Sequence, residues 1–365
     1  MDQALADFVP PFCPRPRCPF HLRSAGWRWI HFGTFERQCE PQVIPRYRCC
    51  HCGRTFSTQT FSTTYYLKRP ELQQPILYRL LACSGYRQMA REARCSPTTV
   101  MGQAARLGRH ALLALHAWRP REAPAEPLVI DGFESFAYSQ YHPLHLNLAV
   151  GAESHYLYAF THTELRRKGG MRAAQKRRRA WLEATYGKPD AGALEADVAT
   201  LLRLAAPQAR SLVVRSDEHP AYPRAFRRLR TLRIQHECTP SVQARTPGNP
   251  LFPVNLADLL LRHNGANHKR ETIAFSKRHQ SVVERAAVLF LWNNFIKPFS
   301  ENHGGGTPAM RLGARERPLG LKEVLKERLF PYRVGLPRVW WGYYRRLVPT
   351  ARIKNPRRHG LRLAF

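Results

Sequence analysis

Acidic side chains are the scarce class in this sequence: 26 Asp and Glu stand against 58 Lys and Arg, a formal charge of +32 over 365 residues. An excess spread from end to end is no solvated helix face; it implies a polyanionic partner, with nucleic acid first. A run of apolar residues long enough to cross a bilayer is missing, and so is an amphipathic anchor, which excludes the membrane as that partner. Met1-Asp-Gln-Ala-Leu-Ala lacks the basic start and apolar run of a secretory signal, so the expected location is the cytoplasm, in association with nucleic acid. There is no internal repeat and no long low-complexity tract. The nine cysteines are an odd number, which fits metal binding in a reducing compartment better than a disulfide framework.

Those cysteines concentrate at the start. Cys13-Pro-Arg-Pro-Arg-Cys18 forms one knuckle and Cys49-Cys50-His51-Cys52-Gly53 the other, with short strands expected at Trp27–Phe32 and Val43–Arg48 between them. Cys49 and Cys52 have the spacing that lets one turn offer two thiolates to a tetrahedral zinc. Residues 1–56 therefore read as a zinc ribbon ligated by Cys13, Cys18, Cys49 and Cys52. The four residues between Cys13 and Cys18 loosen the match, and His21, Cys39, Cys50 and His51 are alternatives. Arg46, Arg48 and Arg54 flank the second knuckle as phosphate contacts.

Residues 57–69, rich in Ser and Thr, read as a linker, and the spacing of Leu72, Ile76, Leu77, Leu80 and Leu81 predicts a helix over 71–83. Ser84–Val100 then reads as a short helix, a turn at Arg94-Cys95, and a second helix with Ser96 as its cap and Pro97 at its first position. Within a region spanning 57–118, this helix-turn-helix offers Thr98, Thr99, Gln103 and Arg106 to a major groove. Arg119–Glu126 is a boundary rich in proline and charge.

After that boundary, Leu128-Val-Ile-Asp131 is a strand carrying a carboxylate to its end, where Gly132 breaks the run. Ser211-Leu-Val-Val-Arg-Ser-Asp217 repeats the design. Strands are also expected at Leu144–Gly151, Tyr156–His162 and Leu232–Glu237, the first three strands forming an antiparallel meander. Helices are expected at Leu194–Leu204 and Val282–Pro298, and 164–186 is a very basic segment. The order β-β-β-α-β-α-β-α is that of the α/β ribonuclease H-like fold, over 127–300, which gathers carboxylates from its first strand, its fourth strand and a late helix. Glu284, on an expected helix apolar nearly all round, is the candidate third carboxylate; Glu271 competes from a basic loop. Residues 301–365 form a basic, aromatic tail whose Pro337–Arg346 is either core packing or a nucleic-acid surface.

In order along the chain, Val129-Ile-Asp131, Val213-Val-Arg-Ser-Asp217, Arg270-Glu-Thr-Ile-Ala-Phe-Ser-Lys-Arg278, Leu291-Trp-Asn-Asn-Phe295 and Thr307-Pro-Ala-Met310 resemble the DDE transposases of bacterial insertion sequences. The resemblance covers roughly residues 10–315. It implies binding of double-stranded DNA at element ends and targets, oligomerisation on DNA, one structural Zn2+, and two Mg2+ or Mn2+ ions about 3.5–4 Å apart. In it, Asp131 bridges both ions while Asp217 and Glu284 each hold one. Water frees a 3′-hydroxyl, which then attacks target DNA. Two departures stand out: the long spacing from Asp217 to Glu284, and the size of the basic segment. A DNA-binding regulator derived from a transposase, or a nuclease on the same fold, are the rivals. A serine or tyrosine recombinase would need a nucleophile motif that the sequence lacks.

Overall fold

The computed structural model describes residues 8–269, 271–300, 302 and 304–353. The first unit is a three-stranded antiparallel sheet of β1 (Trp29–Glu36), β2 (Val43–Cys49) and β3 (Thr55–Ser57). Its core is small: Cys13, Cys18, Tyr47, Cys49 and Phe56, with Trp27, Trp29 and Phe61 laid against them. A core of this size holds a fold only with a staple. The stretch expected as a linker is instead packed. Thr63 is buried, and its hydroxyl lies 2.7 Å from the Leu325 carbonyl and 3.0 Å from Gln73 Oε1. A row of hydroxyls has local partners and so survives burial that a solvated linker would not.

Three helices follow: α1 (Gln73–Leu81), α2 (Tyr86–Glu92) and α3 (Pro97–Ala117). Ser96 caps α3 as expected, accepting the Thr98 N–H at 3.2 Å, with Pro97 at the first helical position. α3 is far longer than a recognition helix requires, and it is buried almost continuously from Gln103 to Leu115. It lies along α8 (His279–Phe295), and Gly108 permits the approach: a Cβ there would come within 2.6 Å of the Glu284 Cβ and carbonyl oxygen.

The main sheet runs β6-β5-β4-β7-β8, built from β4 (Leu128–Phe136), β5 (Pro143–Gly151), β6 (Leu157–Glu164), β7 (Ser211–Ser216) and β8 (Arg233–Cys238). β4, β5 and β6 are the antiparallel meander the sequence predicts, and β7 and β8 run parallel to β4. Gly132 does not end β4, which continues to Phe136. Its lack of a side chain serves packing: a Cβ would sit 2.6 Å from His145 Nδ1 on β5. Between the strands come α4 (Ala173–Tyr186), α5 (Ala193–Ala205) and α6 (Ala221–Phe226), and α7 (Phe252–Asn264) follows β8. α5 packs on β5 and β6, and α7 on β4 and β5. The carboxamide of Asn294 on α8 bonds both backbone groups of Leu157, at 3.0 and 2.9 Å, fixing that helix to β6.

Four short helices close the described chain: α9 (Pro308–Arg311), α10 (Leu321–Val324), α11 (Pro331–Val334) and α12 (Arg338–Tyr344). The aromatic run of α12 is core packing. Trp340, Tyr343 and Tyr344 are buried, the Trp340 indole donates to the Phe160 carbonyl at 3.0 Å, and Tyr343 Oη accepts the His162 N–H at 2.8 Å. One hydrophobic core joins α1–α3, the main sheet, α8 and α12. Residues 57–118 and the described part of the tail thus share a core with 127–300; residues 354–365 of that tail, and Arg270, lie outside the described residues.

Candidate metal centre and carboxylate edge

The four cysteines come together. Cys13, Cys18, Cys49 and Cys52 offer sulfurs that all lie within 4.8 Å of one another, a cluster that could hold one metal ion such as zinc. The wide first knuckle closes because Cys18 N–H bonds the Arg15 carbonyl at 2.9 Å, turning Cys18 back over Cys13. Of the alternatives, Cys50 is exposed, and His21 turns its Nδ1 to the Cys13 carbonyl at 2.8 Å, while the described cluster closes on the four cysteines alone. Burial and neighbouring sulfurs push the Cys13 and Cys18 thiols up, while hydrogen bonds from the 49–52 turn and the Trp27 indole pull Cys49 down to about 7. Four thiols crowded within 4.8 Å of one another suit a thiolate-binding cation.

The second site lies where β4 and β7 run side by side. Leu128 pairs with Val214 and Val129 with Arg215, so continuing the register brings Asp217 level with Asp131. Asp131 Oδ1 accepts the Gly132 N–H at 2.7 Å and the Tyr222 hydroxyl at 3.3 Å, and Asp217 Oδ1 accepts the His219 N–H at 3.0 Å. Burial, then the Asp217 charge, pushes the Asp131 carboxyl above its ordinary range, against the pull of the Gly132 N–H.

The third carboxylate at this edge is Asp258, on α7. Burial and then the Asp131 charge push it well above the carboxylate range, against Arg262 and Arg245, and its Oδ1 is buried without a hydrogen-bond partner. Tyr222 is raised by burial and by all three aspartates, Asp131, Asp217 and Asp258. Among the described residues, no ion pair within 4.0 Å closes on any of the three. His145 and His219 border the cluster, and burial, then the His219 charge, holds His145 down to about 4. The three carboxylates sense one another's charge, and one of their oxygens is orphaned, but among the described residues only the four cysteines bring their ligand atoms to metal-cluster distances.

Glu284 takes no part. It is fully buried between α3 and α8, where its Oε1 meets Arg346 Nε at 2.8 Å and Gln280 Nε2 at 3.1 Å. Burial raises its carboxyl above the usual range, against the pull of Arg346 and then Arg109, so its partners inside the core are cations of the chain. Glu271 is exposed in the loop before α8. Asp258 carried a readable signal: within Val254-Asn-Leu-Ala-Asp-Leu-Leu-Leu261 it is the lone acid, and it lies four residues after Val254 and three before Leu261, both wholly buried.

The expected DNA contacts divide. Arg48 is exposed and Arg46 half-buried, their guanidiniums 5.6 and 5.4 Å from the centre of the exposed Phe32 ring. Thr98 is exposed and Thr99 half-buried at the start of α3. Gln103 and Arg106 cannot reach a groove: both are buried, and Arg106 Nη1 donates to the carbonyls of Tyr65 at 2.6 Å and Thr63 at 3.2 Å. The long α3 turns that face into the core.

No protein-family model matches the chain, and no curated protein matches it. Among solved structures, an intasome of simian T-cell lymphotropic virus in complex with PP2A regulatory subunit B56 gamma is similar at 14% identity and a TM-score of 0.24, covering 58% of this chain and 71% of that one. A score that low establishes no shared fold.

Proposed function

We propose that the chain is a metal-dependent polynucleotidyl transferase with a ribonuclease H-like catalytic unit, acting as an insertion-sequence transposase. The observation that carries this reading is the meeting of Asp131, Asp217 and Asp258 at one edge of a β6-β5-β4-β7-β8 sheet in a chain of charge +32. The strand order and the resemblance of the motifs support it. In this reading Asp258 replaces Glu284 as the third carboxylate, and the spacing from Asp217 shortens accordingly.

Mg2+ or Mn2+ held by the three aspartates would supply Lewis-acid activation of an attacking oxygen and charge neutralisation of the leaving one. The chain's own residues prepare that place. The Gly132 N–H and the Tyr222 hydroxyl share Asp131 Oδ1, and the His219 N–H fixes Asp217 Oδ1, which leaves oxygens of each carboxylate for ligation. The three carboxylates orient a water that hydrolyses the phosphodiester at an element end, then the freed 3′-hydroxyl that attacks target DNA. The cysteine module and the exposed start of α3 supply DNA contacts, and pairing of two ends calls for more than one copy of the chain.

Strand transfer in Mg2+ or Mn2+ on DNA bearing the element's ends tests the assignment. Asp131→Asn, Asp217→Asn and Asp258→Asn are each expected to reduce joining by at least about 10²-fold, the scale of losing a transition-state electrostatic contact. Full joining by Asp258→Asn would remove it from the site. Cleavage without joining in the wild type would identify a nuclease, and end binding with neither a regulator.

A further inference from the structure

A groove of about 550 Å³ lies at the end of the main sheet away from the three aspartates. Four stretches meet there: Phe12 beside the first knuckle, Arg119 and Arg121 after α3, Pro207-Gln208 ahead of β7, and residues 327–334. Gln208 precedes the first residue of β7 and Asp217 follows its last, so the length of that strand, about 20 Å, separates the groove from the carboxylates.

Its charge is one-sided: Arg119, Arg121, Arg328 and Arg333 line it against Glu327 alone. Several of these cations are held in place. Arg119 Nη1 donates to the Leu204 carbonyl at 2.8 Å, the Arg328 guanidinium sits 4.8 Å from the centre of the Phe330 ring, and that of Arg333 sits 4.0 Å from the centre of the Phe12 ring. Burial depresses the guanidinium pKa of Arg119 and Arg328, a cost that a bound anion would relieve. Pre-positioned guanidiniums suit phosphate, and walls with few acceptors suit contacts that place DNA without reading its bases.

We propose that this groove binds the sugar-phosphate backbone of duplex DNA, at a place separate from the carboxylate edge. It rests on DNA being the partner, but not on the carboxylate chemistry. Because Phe12 forms one wall, DNA lying here would touch the cysteine module and the catalytic unit together.

The test is fluorescence anisotropy of a labelled duplex over a salt series. The double variant Arg121→Glu with Gln208→Glu changes two exposed side chains. It is expected to weaken binding about tenfold or more and to flatten the slope of log affinity against log salt by about one. Should the charged double variant not fold, Arg121→Ala carries the same test through the salt slope. Unchanged affinity and slope in these groove variants would overturn the proposal, as would displacement of the duplex by a mononucleotide at comparable concentration. A wild-type chain that binds no duplex at all would overturn the DNA reading itself.

Discussion

Asp258 and Glu284 are both acids on buried helical faces, yet their surroundings give them opposite duties. Burial and then the Asp131 charge raise Asp258 against the pull of Arg262 and Arg245, so the folded state holds its proton to a higher pH than the unfolded chain does. Asp131 and Asp258 therefore contribute stability to the metal-free protein that is lost as pH rises through their raised values, while buried imidazoles such as His145, held down to about 4, and His162, held down to about 3, act in the opposite sense. Asp258→Asn should remove its share of that loss and stabilise the metal-free chain at neutral pH by roughly 1–3 kcal/mol, the cost of a buried group without a hydrogen-bond partner. Thermal melts of wild type and variant across pH with a chelator present check this; a gap between the two that does not widen as pH rises would contradict it. Glu284→Gln should act in the other direction, costing up to about 3–5 kcal/mol, because it breaks the buried ion pair with Arg346. Denaturant unfolding of the two variants side by side therefore separates a ligand from a core ion pair without any assay of activity.

At the level of elements, α3 decides most of the interior. Its register against α8 depends on Gly108, where a Cβ would meet Glu284 at 2.6 Å, whereas Gly102 has open space around it. Gly108→Ala should cost about 1–3 kcal/mol through overpacking. Gly102→Ala, in the same helix, should stabilise by up to about 1 kcal/mol through propensity alone. Equal effects from the two would mean that α3 and α8 do not approach as described; urea midpoints at constant slope measure the difference. The same packing explains why Arg106 and Gln103 are buried: a helix bound lengthwise to another has only its first turn free for a partner.

For the whole molecule, the cysteine module and the tail hold each other. Phe12 packs edge-on to Phe330 with centroids 5.0 Å apart, and Arg333 donates to the His21 carbonyl. The Arg328 N–H bonds the Phe61 carbonyl at 2.9 Å. A core as small as that of the module calls for a staple, and if the four cysteines hold zinc, a chelator should loosen residues 13–57 and, with them, residues 325–334. Hydrogen exchange should show both segments losing protection while β4–β6 keep theirs. Protection retained in 325–334 after metal loss would mean that the tail stands without the module.

Local pattern was enough for much of this protein. The two Cys knuckles, the helices at α1, α5 and α8, the capped start of α3, the meander and the two strands β4 and β7 that lead to Asp131 and Asp217 follow from spacing, capping and β-branched runs, which act over a few residues. The linker at 57–69, the ending of β4 at Gly132 and the groove-facing side of α3 were misread from that pattern, because in each case the deciding partner is far along the chain. Leu325 holds Thr63, His145 fills the space over Gly132, and the carbonyls of Thr63 and Tyr65 take Arg106. The proposed third carboxylate belongs with these. Asp258 and Glu284 look alike as lone acids in apolar helices, and only the three-dimensional packing sets one beside Asp131 and the other beside Arg346. A buried charge is defined by whatever the fold brings to face it, and that pairing is a tertiary fact.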